Sequence, residues 1–152
     1  MKNNSQSILI IFSVSIFLAS CSQSPEDYGK KIAAKQCDCE KFSVELEVQY
    51  LKQVIANAKS GKYKSNEEFT NDMNKAITGD FKELYTNPER KKTCDEFRKM
   101  DEDSKLKFPK EEDRKTVFNS YSANWDEMRK ELNQEESELI KEAYNLPQKF
   151  SR

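Results

Sequence analysis

The 152 residues contain no histidine. That removes Ser-His and Cys-His nucleophile pairs, the His-Glu-x-x-His zinc site and every histidine general base. Glycine-rich phosphate loops of the Gly-x-Gly-x-x-Gly or P-loop type are also missing. Glycine occurs three times and proline four, too few for a loop-rich or all-β chain. No alternating run of β-branched residues marks a strand, and no period of 20 to 50 residues repeats. A long basic stretch is missing too. Lys and Arg number 26 against 27 Asp and Glu, interleaved along the chain, which disfavours nucleic acid as a partner.

What is present divides into two parts. Residues 1–7 are polar with one cation, Lys2, and 8–18 form an almost unbroken apolar run. Ala19 and Ser20 then precede Cys21. A charged start, a short apolar segment and small residues are the pattern of a secretory signal. The run falls short of the about 20 apolar residues that a spanning helix needs. The rest of the chain is polar, with 35% charged residues overall and a mean hydropathy of −0.96.

Leu18-Ala19-Ser20-Cys21 resembles the lipobox of bacterial lipoproteins, with Ser20 in place of the commoner Gly or Ala. The resemblance covers residues 1–21 and implies cleavage between Ser20 and Cys21, a diacylglycerol thioether on Cys21 and acylation of the new amino group. It implies a cell-envelope location on a lipid anchor. Ser22, where Asp retains some bacterial lipoproteins at the inner membrane, favours the outer membrane or cell surface. Without residues 1–20 the chain loses Lys2 and no acid, so 25 cations face 27 acids, a net charge of −2. The expected organisation is a signal at 1–20, a tether at 21–24, one helical domain at 25–146 and a frayed tail at 147–152.

Helix starts are written into that domain. Ser24-Pro25-Glu26-Asp27 and Ser65-Asn66-Glu67-Glu68 each place a hydroxyl at the cap and an acid in the first turn. Asn87-Pro88-Glu89 offers a third start, and Pro109 a fourth with a weaker cap. Apolar residues then recur with helical spacing. The first segment carries two stripes: Ala33, Cys37, Val44, Val48, Leu51, Ile55 and Ala58, and, opposite, Tyr28, Ile32, Cys39, Phe42, Leu46 and Tyr50. A helix apolar on two faces is packed from both sides. A second segment puts Phe69, Met73, Ile77, Phe81 and Leu84 on one face, with Gly79 inside it. A short third holds Cys94, Phe97 and Met100, followed by a charged connection at 101–108. The last, 110–145, carries Val117, Tyr121, Trp125, Met128, Leu132, Leu139 and Ala143. The expected fold is all-α, a small bundle of three or four helices.

The chemistry available to such a chain is narrow. No carboxylate pair stands out among 27 acids, so the sequence nominates no catalytic residue, no metal ligand and no cofactor. With Cys21 assigned to lipid, three thiols remain in an exported, oxidising setting. Cys37 and Cys39 point to nearly opposite sides of one helix, so neither bridges the other. A Cys37–Cys94 disulfide is expected because Cys37 lies on the longer apolar stripe, and Cys39–Cys94 is the alternative. A redox site at Cys37 and Cys39 would need the helix to open, and a three-thiolate metal site with Asp38 or Asp95 lacks the usual ligand spacing. Phe118, Tyr121 and Trp125 read as core on the last helix. Arg90-Lys91-Lys92 reads as a solvated turn. The function these features favour is a membrane-tethered, non-catalytic helical module that binds or scaffolds another envelope protein. The alternatives are an inhibitor or immunity-type lipoprotein and a thiol-redox protein using Cys37 and Cys39.

Overall fold

The structure is a computed structural model that describes residues 23–79 and 81–146. The signal segment, its cleavage site at Ser20 and Cys21, and the tail at 147–152 lie outside the described residues. Six helices form among those described: α1 (Pro25–Lys59), α2 (Asn66–Thr78), α3 (Lys82–Thr86), α4 (Pro88–Lys107), α5 (Glu111–Leu132) and α6 (Gln134–Asn145). The all-α expectation holds. None of these helices is long and apolar enough to cross a membrane.

The starts form where caps were legible. Ser24 Oγ accepts from the Asp27 amide at 3.1 Å, with Pro25 at the first helical position. Ser65 Oγ accepts from the Glu68 amide at 3.2 Å, and Glu68 accepts from the Lys64 amide at 2.9 Å. Asn87 Oδ1 takes the amides of Glu89 and Arg90 at 2.9 and 3.0 Å. Lys110 gives α5 no side-chain cap. These bonds satisfy amides that the helix itself leaves unpaired.

Helix α1, 35 residues and about 52 Å long, is the axis of the bundle. Segments α2, α3 and α4 descend antiparallel to it. Gly79, just past α2, abuts Glu47; Tyr50 stacks on Phe81 at 4.5 Å; Lys35 bonds Glu96 at 2.8 Å; and Tyr28 reaches the Met100 carbonyl at 3.1 Å. Helices α5 and α6 then rise parallel to α1. Ser120 Oγ donates to the Glu26 carbonyl at 2.8 Å, and Lys52 and Lys59 pair with Glu135 and Glu142, both at 2.6 Å. The six segments thus make three rods, with α1 packed from both sides as its two stripes require.

Two cores result. Leu51, Val54 and Ile55 of α1 pack with Tyr63, Phe69, Met73, Ala76 and Ala143 at the far end. Tyr28 and Ile32 pack with Phe108 and Val117 at the near end, where Phe97, Met100 and Tyr121 close over them.

Several boundaries differ from the expectation. Gly79 is not inside a helix: its φ of 64° ends α2 in the left-handed conformation that glycine adopts without a Cβ penalty. Phe81 and Leu84 therefore belong to a separate cap and short helix, both buried. The third segment is a 20-residue helix that takes in most of the expected connection. It touches α1 along the narrow Cys94, Phe97, Met100 seam, so its remaining turns carry no apolar signal. The last segment breaks at Asn133, whose amide bonds back to Arg129 at 3.0 Å before α6 begins with Glu135 and Glu136 in its first turn.

Candidate functional site

Near the amino-terminal end of α1, helices α4 and α5 diverge and leave a half-open groove of about 300 Å³. Ile32 and Val117 are buried at this site, Phe97 and Tyr121 are half-buried, and Phe118 stands 63% exposed on α5. Asp101, Ser104, Lys105 and Arg114 supply its polar lining. The guanidinium of Arg114 donates to the carbonyls of Phe108 and Pro109 and so pins the α4–α5 connection. Tyr121 donates to Gln36 Oε1, holding its ring against α1. Burial, with Asp101 adding to it, pushes the Tyr121 hydroxyl above the usual phenol range, so it stays a donor at neutral pH. A few polar groups around an apolar floor suit a ligand that presents a bulky apolar group.

Phe118, expected in the core with Tyr121 and Trp125, is on the surface, whereas those two are half-buried. The reason is phase. Val117, Ser120 and Tyr121 face α1, and Phe118 lies one residue, about 100°, from Val117, on the flank it shares with Trp125 seven residues on. It packs only loosely against Tyr121, with ring centroids 6.4 Å apart.

The thiols are arranged differently from the expected pairing. Cys39, not Cys37, is bonded to Cys94, with Cα atoms 4.8 Å apart, and Cys37 is a free, half-buried thiol. Stripe length was the wrong criterion, because it ranks burial and says nothing of which rod covers which stripe. Helix α4 lies over the Tyr28, Ile32, Cys39 side, as the Lys35–Glu96 and Tyr28–Met100 bonds record. Burial pushes the Cys37 thiol up, and Asp38, Glu40 and Glu131 push it further against the opposing pull of Lys41. A thiol kept protonated is a poor nucleophile.

Two carboxylates that the sequence did not single out come together at the α1–α6 contact. Burial raises both Glu47 and Glu136 above the usual carboxylate range, and the charge of Glu136 raises Glu47 further. No group of three or more His, Cys, Asp or Glu side chains among the described residues converges as a metal ion would need. At the start of α4, Arg90 turns back to the Leu84 carbonyl at 3.3 Å. Lys91 and Lys92 share a shallow depression with Asp95, Glu96 and Lys99, so the cluster is locally compensated. No family model, no curated protein and no solved structure matches the chain.

Proposed function

We propose that this chain is a bacterial lipoprotein, lipid-modified at Cys21 on the outer membrane or cell surface, whose helical domain binds another envelope protein without catalysing a reaction. The observation that supports the binding role is Phe118, a large aromatic ring exposed beside an apolar, half-open groove. Rings held in this way anchor protein interfaces because they bury a large area at little cost in side-chain entropy. The occupant is a segment of an envelope protein that inserts an apolar side chain between α4 and α5. The lipobox at 18–21 supports the anchor, and several acyl chains on one residue give stable attachment where one gives only marginal binding.

A photo-crosslinking residue placed at 118 in living cells should yield a discrete protein adduct, and one placed at the exposed Lys91 should not. Equal adducts, or none at 118, would remove the groove from the reading. The identity of the adduct distinguishes a structural partner from an enzyme held in check, the inhibitor or immunity-type alternative. Cys21→Ser should move the protein from the membrane to the soluble fraction with its fold intact, and a palmitate analogue should label only the parent protein.

A further inference from the structure

We propose that the corner joining α4 to α5, residues 104–110, is a membrane-contacting tip that seats Leu106 in the headgroup layer and stands the bundle upright on the bilayer. The proposal rests on the lipid-anchor reading of Cys21 and adds an orientation to it.

Leu106 is 83% exposed, the most open of the large apolar side chains among the described residues. A lone exposed leucine is ordinary, so location decides its meaning. Lys107 donates to Gln23 Oε1 at 3.3 Å, and its ammonium sits 4.6 Å from the centre of the Tyr28 ring. The Tyr28 and Phe108 rings meet edge to face at 5.3 Å, and the Tyr28 hydroxyl is tied to Met100. The corner is therefore clamped to Gln23 and Tyr28, at the amino-terminal end of the described residues.

Two peptide steps separate Gln23 from Cys21, at most about 7.6 Å between Cα atoms. The headgroup zone of one leaflet is itself roughly 5–8 Å deep. A corner held to Gln23 thus stays close to a membrane that holds Cys21 by its acyl chains.

The composition suits that place. Residues 104–110 read Ser-Lys-Leu-Lys-Phe-Pro-Lys, with three lysines and no carboxylate. Lysine stems extend along apolar surface and keep the ammonium at phosphate level. Acids resume on the flanking turns at Asp101, Glu102 and Asp103 and at Glu111, Glu112 and Asp113. Their charge prevents strong electrostatic adhesion, so the acyl chains supply affinity and the tip supplies direction. With the corner down, α1 rises from the surface and Phe118 opens sideways roughly 10 Å along α5 from its start.

The test uses the lipid-bearing protein purified from membranes and reconstituted in vesicles of phosphatidylglycerol and brominated phosphatidylcholine. Leu106→Trp is made in a Trp125→Phe background, and the parent protein reports from Trp125, its single tryptophan. The indole introduced by Leu106→Trp is expected to shift blue and lose emission to the bromines, while Trp125 of the parent keeps its own. Protein that floats with the vesicles but shows no quenching at 106, or equal quenching at 106 and 125, overturns the orientation and leaves the anchor standing. Protein that does not float, with an unmodified amino-terminal peptide by mass, overturns the anchor and the orientation with it.

Discussion

Gly29 lies inside α1, buried, where a helix would ordinarily gain about 1 kcal/mol from alanine. The structure predicts the opposite sign for Gly29→Ala. A Cβ at this position would come within 2.8 Å of the Tyr121 amide nitrogen and 2.9 Å of Ser120 Cβ, and closer still to the Val117 carbonyl oxygen. Ordinary contact begins near 3.4 Å, so the shortfall is about 0.5 Å or more. The opposing atoms are mostly backbone and have no rotamer to retreat into, so α1 and α5 must move apart. Separation loosens Tyr28, Ile32 and Val117 and stretches the Ser120–Glu26 bond, worth about 1 kcal/mol. Overpacking of a close helix contact costs about 1–3 kcal/mol. Set against the propensity gain, the net expectation is a loss of about 2 kcal/mol. For a chain of this size that corresponds to a drop of roughly 4–8 °C in Tm. Thermal unfolding followed by far-UV circular dichroism measures it, with Lys30→Ala at a neighbouring exposed position as a control expected within about 0.5 kcal/mol of the parent. A Gly29→Ala protein as stable as the parent, or more so, would refute the close crossing.

Four further substitutions have outcomes set by the geometry. Cys94→Ala should cost about 4 kcal/mol in the chain-entropy model for a separation of 55 residues. Cys37→Ala should change little, and non-reducing peptide mapping should recover a Cys39–Cys94 peptide. Glu47 has a folded-state pKa above its unfolded value, so its charge opposes folding at pH 7 and stability rises as pH falls through the folded value. Glu47→Gln should therefore raise Tm at pH 7 and flatten the gain seen as the pH falls toward the ordinary carboxylate value of 4.5; parallel profiles for the two proteins would contradict the shift. Leu51→Asp should abolish cooperative unfolding, because Leu51 is fully buried in the far core and an unpaired charge there has no partner.

Periodicity made much of this molecule legible before its structure. The Ser24, Ser65 and Asn87 caps placed three helix starts, and the two stripes of α1 foretold a central helix covered from both sides. Pairing of the rods was not legible, because a stripe states that something covers it without naming the cover. Both the Cys39 register and the Gly29 crossing depend on that missing information. Helix α4 was under-read for a related reason: a rod that touches its neighbour along one seam, and buries no residue fully, shows apolar period only where it touches. The two surface features that carry the functional proposals share a signature that sequence can supply. On α5 the contact with α1 runs through Val117, Ser120 and Tyr121, and Phe118 sits on the flank, about 100° from Val117. On α4 the seam runs through Cys94, Phe97 and Met100 toward Ser104 and Phe108, and Leu106 falls between its steps. A bulky apolar residue off its own helix's seam gains nothing from the fold that exposes it; a lone one is ordinary, so its surroundings decide its meaning. Here one such residue borders a groove suited to a protein segment, and the other sits on a corner held to Gln23 and Tyr28 at the start of α1. The groove lies at the end of the bundle where α1 begins, so on the proposed lipoprotein reading a bound partner would be within reach of the membrane.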